Sequence, residues 1–280
     1  MDRWIAGIAV VAFALAAEQV KAQEPALPVL NGEVVTAKTA DGIEYGLWGT
    51  KATYPAPTLF IFASDIHATL DNPYYRQCGE LLAAQGYLCV SLDLPGHGAE
   101  QREGEPGGLG TWRTRSDAGE DFIAPFTVRV RAVLDHLIIT SAADPARIAA
   151  CGTSRGGFMA LRVAAADPRI KATAAFAPVT NLMALREFNG ATNTDHVAKL
   201  SLSAHADSLA GRSLWLIIGD RDERVSTDDC IAFARRVTAV SLEKTQSADT
   251  ALLVLPEPKG HTTPQSAPEL AAAWIAERLK

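Results

Sequence analysis

A chain of 280 residues that is 48% hydrophobic and 21% charged has the composition of a folded globular protein, not of a fibre or a disordered segment. Its net charge is −6 with both signs interspersed, so it offers no concentrated basic face to a nucleic acid, which is not expected as a partner. The four cysteines, Cys78, Cys89, Cys151 and Cys230, are widely spaced without a CxxC pair, which argues against a zinc cage or a thioredoxin-like redox site.

At the N-terminus, Met1-Asp2-Arg3-Trp4 precedes the apolar run Ile5 to Ala17 and then Val20-Lys21-Ala22, a small-x-small site. Residues 1–22 read as a secretory signal peptide cleaved near Ala22, because the apolar run falls short of the roughly 20 residues a spanning helix needs. A secreted or periplasmic protein without stable membrane insertion is expected, with residues 23–280 forming a single domain. Export would permit disulfides, yet each cysteine lies in an apolar or helical stretch that suits a free buried thiol, and the three pairings open to four cysteines are not distinguished.

Glu33 to Ala37 and Ile43 to Trp48 flank Asp41-Gly42 and predict a hairpin. From Thr58 short apolar runs alternate with amphipathic ones. Thr58 to Ala63 is followed by Tyr74 to Gln85, Leu88 to Leu94 by Glu120 to Thr140, and Ile148 to Gly152 by Gly156 to Ala166. Ala172 to Val179, Leu214 to Gly219, Thr227 to Leu242, Leu252 to Leu255 and a terminal helix from about Pro264 continue the pattern. Uninterrupted apolar strands separated by helices predict an α/β fold, a parallel sheet covered on both faces. Ile123, Phe126, Val130, Val133, Leu134 and Leu137 recur at helical spacing and are packing residues. Two segments interrupt the alternation: 96–121, Gly-rich and expected as a long surface loop, and 180–211, able to form a small helical cap.

Cys151-Gly152-Thr153-Ser154-Arg155-Gly156-Gly157 lies between a predicted strand and a predicted helix, the Gly-x-Ser-x-Gly context that places a serine on a sharp turn. Later strand ends carry Asp220 and Asp222 in "IIGDRDERV" and His261 in "PKGHTTP". Reactive groups of an open parallel sheet collect at such carboxyl ends, in the chain order Ser, Asp, His. A serine hydroxyl needs an imidazole to take its proton, and the imidazole needs a carboxylate to fix its tautomer. The candidate roles are Ser154 as nucleophile, His261 as base and Asp222 as acid, with Asp220 the rival on the same turn. Backbone N–H donors for an oxyanion are expected from Arg155 at the start of the helix and from Ser64 or Asp65 after the strand "TLFIF". The Arg155 side chain is a candidate for holding an acidic substrate, with a surface salt bridge as its competing fate.

"DPARIAACGTSRGGFMALRVAAADPRI", "LPGHG", "IIGDRDERV" and "KGH" together resemble the α/β-hydrolase superfamily, nearest to its prolyl-oligopeptidase-like and dienelactone-hydrolase-like branches, from about Thr58 to the end. The resemblance implies an eight-stranded, mostly parallel sheet with an antiparallel N-terminal hairpin, helices on both faces, and a Ser-His-Asp triad. Its spacing Gly-x-x-Asp-x-x-Val favours Asp222 over Asp220. Three departures matter. The family's His-Gly after the third strand is Ala63-Ser64 here. Dienelactone hydrolases are expected to use a cysteine, whereas Cys151 sits three residues before the serine. Oligopeptidases carry a propeller domain, and the few residues ahead of Glu33 cannot form one.

The expected function is thus a serine hydrolase acting on small-molecule carboxylic esters, with short-peptide cleavage or a catalytically inactive binding protein as alternatives. No metal or organic cofactor is required. His97 is expected to be structural, His67 a solvated loop residue, and His136, His196 and His205 lack metal-ligand spacing.

Overall fold

Gly42, at φ 81°, makes the turn that returns β1 (Val35–Lys38) as β2 (Glu44–Trp48), the antiparallel hairpin expected from Asp41-Gly42. The structure is a computed structural model and describes residues 29–257 and 259–280; the expected signal segment 1–22 lies outside them. The remaining strands are β3 (Ala56–Phe62), β4 (Leu88–Ser91), β5 (Ala143–Thr153), β6 (Ile170–Phe176), β7 (Ser213–Gly219) and β8 (Asp249–Leu255). They form one eight-stranded sheet in the order β1-β2-β4-β3-β5-β6-β7-β8. β2 pairs antiparallel with β4, and every pair from β4 to β8 is parallel, so the α/β-hydrolase topology is present.

The helices are α1 (Ile66–Leu70), α2 (Pro73–Arg76), α3 (Gly79–Ala83), α4 (Gly108–Asp117), α5 (Ile123–Ile139), α6 (Arg155–Ala166), α7 (Thr194–Leu200), α8 (Thr227–Thr245) and α9 (Ala267–Arg278). α5, α6 and α8 bury their apolar stripes on one face of the sheet, in a core that includes Phe60, Phe62, Phe126, Phe158 and Phe233. α1, α3 and α9 cover the other face over Leu59, Ile61, Phe176 and Trp215. Each such ring or leucine taken out of water contributes about 1.5–3 kcal/mol. All four cysteines are buried free thiols.

Two elements differ from expectation. The run Tyr74 to Gln85 is split into α2 and α3 because Gln77 adopts φ 48°, ψ −124°, outside the helical region, and Asn72 and Pro73 start a short helix of their own. The expected surface loop 96–121 contains α4. That helix is held by the buried Trp112, whose indole N–H donates to Pro95 O at 2.7 Å, and by Arg115, whose guanidinium donates to both carboxylate oxygens of Glu105 at 2.8 Å. These anchors are tertiary, and the glycines that surround them conceal the helix from a periodicity reading.

Segment 180–211 folds as 3-10 turns at Leu182–Ala184 and Arg186–Phe188, then α7, then a 3-10 run at Leu202–Leu209. Its Leu182, Leu185, Phe188 and Val197 are fully buried against the body of the protein. Arg113 of α4 donates to the carbonyl of Asn189 at 2.9 Å, so the two inserted segments are tied together above the sheet.

Candidate active site

Ser154 stands between β5 and α6 with φ 56°, ψ −116°, a backbone conformation that costs a non-glycine residue about 1–3 kcal/mol. The surroundings over-determine it. Its N–H donates to Phe176 O at 2.8 Å, and its carbonyl accepts from Phe158 N and Val179 N, both at 3.1 Å. The small flanking residues make the turn feasible. A Cβ at Gly156 would overlap the Phe62 carbonyl of β3, and one at Gly152 would overlap the backbone of Gly156. β3, β5 and α6 therefore meet backbone to backbone, and this contact raises the serine above the sheet.

Asp222 follows β7 in a turn that Thr227 holds, accepting from Asp222 N at 3.1 Å and donating to Gly219 O at 2.7 Å. Its carboxylate is fully buried. Oδ1 accepts from the backbone N–H groups of Arg224 and Val225 at 3.0 and 3.2 Å, and Oδ2 accepts from His261 Nδ1 at 2.7 Å. With Nδ1 as donor, Nε2 is an acceptor, and the Ser154 hydroxyl donates to it at 3.1 Å. Serine, histidine and aspartate thus form one hydrogen-bonded chain. The rival Asp220 accepts from Glu257 N at 3.1 Å and has no bond to His261.

Gln77 was not singled out by sequence reasoning. Buried at 5% exposure, it donates through Nε2 to Thr153 Oγ1 at 3.2 Å and to Thr263 Oγ1 at 3.0 Å. It joins the residue before Ser154 to the loop that carries His261. Its unusual φ aims the amide there, and neither signal is visible in composition or periodicity.

The site opens into a cleft of about 320 Å³ lined by Ala63, Tyr74, Tyr75, Leu109, Thr153, Ser154, Arg155, Arg224 and His261. Arg155 opens α6, so its backbone N–H belongs to the unpaired first turn at the positive end of the helix. The expectation for Ser64 needs correction. Its N–H already donates to Thr69 Oγ1 at 3.1 Å, and its carbonyl accepts from Leu94 N. Asp65 caps α1, with Oδ1 accepting from Ala68 N at 2.8 Å, and neither residue lines the cleft. Ala63, the first residue after β3, is the one that reaches it.

Cys151 is wholly buried and its thiol is pushed well up by that burial, which removes it as a rival nucleophile. His97 is also buried. Its Nδ1 donates to Pro95 O at 3.0 Å and its Nε2 has no partner among the described residues, while burial and the nearby Arg155 charge lower its pKa to about 4. His67 pairs with Asp71 on the surface, His136 packs against Tyr45, and His196 and His205 bond to backbone carbonyls. Among the described residues, no cluster of three His, Cys, Asp or Glu could hold a metal ion, and no helix is long and apolar enough to cross a membrane.

The model of the prolyl oligopeptidase family matches residues 74–279. No curated protein sequence matches the chain. Among solved structures, a cold-adapted esterase from an Arctic intertidal metagenomic library is 18% identical with a TM-score of 0.63, over 88% of this chain and 93% of that one. The acetyl xylan esterase of Paenibacillus sp. R4 is 18% identical with a TM-score of 0.66, over 88% and 83%. A putative dipeptidyl aminopeptidase IV from Bacteroides ovatus is 19% identical with a TM-score of 0.61, over 88% of this chain but 35% of its own. At these identities the likeness is one of fold.

Proposed function

Since the chain belongs to the prolyl oligopeptidase family and is a serine hydrolase, we propose that it cleaves small carboxylic esters through an acyl-enzyme in which Ser154 is the nucleophile. The observation that carries this reading is His261, held at 2.7 Å by the buried Asp222 and at 3.1 Å by the Ser154 hydroxyl.

In the forward step the Ser154 hydroxyl gives its proton to His261 Nε2 as the oxygen attacks the ester carbonyl carbon. Asp222 keeps the proton on Nδ1 and stabilises the imidazolium as it forms. The charge on the carbonyl oxygen is met by the N–H of Arg155 at the start of α6. Collapse of the tetrahedral intermediate breaks the bond to the alcohol, which takes the proton from Nε2. Water, activated by the same imidazole, then attacks the acyl-enzyme and releases the acid.

The cleft favours an ester over a peptide with a free amino terminus, because its charged wall residues are Arg155 and Arg224 and it contains no carboxylate to pair an ammonium group. Its volume, about 320 Å³, suits a small substrate. Short peptides are the second reading, favoured by the family match and the aminopeptidase neighbour. Segment 96–121 lines the cleft through Leu109 and segment 180–211 reaches it through the Glu187 contact with Arg224, and the two would select the substrate, the latter as a small cap. We also propose export, supported by the charged, apolar and small-residue order of residues 1–22; N-terminal sequencing of secreted protein should begin at Gln23.

A panel of 4-nitrophenyl esters and peptide 4-nitroanilides tests the reading. Ester turnover together with covalent labelling of Ser154 by a fluorophosphonate is expected. A protein that releases nitroaniline but no nitrophenol is a peptidase, and one that does neither and resists labelling is a binding protein of this fold.

A further inference from the structure

Two guanidinium groups line the cleft beside Ser154 and His261, and the bonds they make inside the protein leave much of their donor capacity unused. Arg155 donates only through Nε, to Ala63 O at 2.8 Å. Among the described residues its two terminal nitrogens have no hydrogen-bond partner, and no carboxylate lies within 4.0 Å of it. Arg224 donates through Nη2 to Glu187 Oε1 at 2.7 Å, and its Nη1 and Glu187 Oε2 are both buried without a partner among the described residues. Among the described residues Glu187 is the single carboxylate paired with either arginine, and it also lies 3.7 Å from the exposed Arg186. The other nearby acids are committed elsewhere: Asp222 to His261 and two backbone N–H groups, Asp65 to the start of α1. The residues that line the cleft therefore include two cationic side chains and no carboxylate.

A like-charged pair in a partly dry cleft costs stability unless an anion completes it, and a guanidinium fork matches a carboxylate in shape and donor spacing. A purely structural role accounts for the Arg155 Nε bond and for the Arg224 contact with Glu187. It does not account for the terminal nitrogens of Arg155, which have no partner among the described residues and share one cavity with the reacting groups.

We propose that Arg155 and Arg224 form an anion subsite, and that the preferred substrates are esters bearing a carboxylate on the acyl or the alcohol portion. This inference rests on the esterase reading of Ser154, His261 and Asp222 and names its substrate class. The carboxylate would be held by charge-assisted bonds from the terminal nitrogens of Arg155, with Arg224 adding its charge, while the ester carbonyl lies over Ser154. Binding energy spent there orients the reacting bond.

Two matched comparisons test it, each corrected for spontaneous hydrolysis. On the acyl side, the mono-4-nitrophenyl ester of a linear dicarboxylic acid is set against the 4-nitrophenyl ester of the fatty acid of equal chain length. On the alcohol side, 3-carboxyphenyl acetate is set against phenyl acetate. The expected result is a kcat/KM ratio of roughly tenfold in favour of the anion on one of the two sides. That ratio should fall toward one in Arg224→Gln and in Arg155→Gln, and in the unmodified protein it should shrink as salt is raised from about 0.05 M to about 0.5 M. The salt arm decides the matter if either variant fails to fold. A ratio of one or less on both sides, or one that salt leaves unchanged, overturns the subsite. If neutral esters are hydrolysed and Ser154 is labelled while the ratio is one, only the subsite falls. If nothing is hydrolysed or labelled, the esterase reading falls with it.

Discussion

Gly156 lies so close to the carbonyl of Phe62 that a methyl group on its Cα would overlap it. The elbow of Ser154 thus depends on the missing side chain of a residue two positions later, since β3 and α6 touch through their backbones there. Gly156→Ala should cost about 3 kcal/mol or more, because the obstacle is a backbone carbonyl within the sheet and cannot rotate away. A lowered midpoint in denaturant, with loss of fluorophosphonate labelling, is the expected outcome; a stable, fully reactive variant would show that the elbow can relax.

The two acids of the β7 turn can be separated by substitution. Asp222→Asn presents an amide N–H or a weaker acceptor to His261 Nδ1 and disfavours the tautomer that accepts from serine, so kcat should drop on the order of 10⁴-fold with the fold intact. Asp220→Asn leaves the triad geometry unchanged and should alter kcat less than about threefold, since its contact is with Glu257 N. The reverse ranking in steady-state kinetics would exchange their roles.

Gln77 acts through Thr153 and Thr263 and touches no reacting atom, which makes it a positioning residue. Gln77→Leu keeps the bulk and removes both hydrogen bonds, and should lower kcat roughly tenfold with little change in KM. Gln77→Asn, one methylene shorter, should recover part of that loss. A fall in stability without a fall in kcat would assign the residue to structure alone.

His97 makes stability depend on pH. Its folded pKa is about 4, against roughly 6.5 when unfolded, so between those values the unfolded chain binds the extra proton. Stability is full above about 6.5 and declines as pH falls toward 4, by about 3 kcal/mol in all. His97→Gln should remove that part of the decline. Denaturation midpoints for both proteins across this range provide the check, and parallel curves would count against the assignment.

Where the signal was local, the sequence reading and the structure coincide: the alternating strands, the Gly-x-Ser-x-Gly turn, and the strand-end positions of Asp222 and His261. What stayed hidden depends on contacts between distant parts of the chain. α4 forms because Trp112 and Arg115 find partners in Pro95 and Glu105, and Gln77 leaves helical geometry to reach two threonines, one of them 186 positions away. The sequence does not reveal that the Ser64 N–H is taken by Thr69, a contact made only when the turn after β3 packs on α1. Arg224 was passed over for a similar reason: its place in the cleft is set by Glu187, which lies in an inserted segment whose path no periodicity reports.

The central claim is that Ser154 attacks with the help of His261, and pre-steady-state kinetics on excess 4-nitrophenyl ester tests it most directly. The native protein should give a burst of nitrophenol equal to one per active site and an acyl group recoverable on the peptide containing Ser154. Ser154→Ala should give no burst and a kcat lower by about 10⁶-fold. A full burst from the alanine variant, or an acyl group on another residue, would contradict the account.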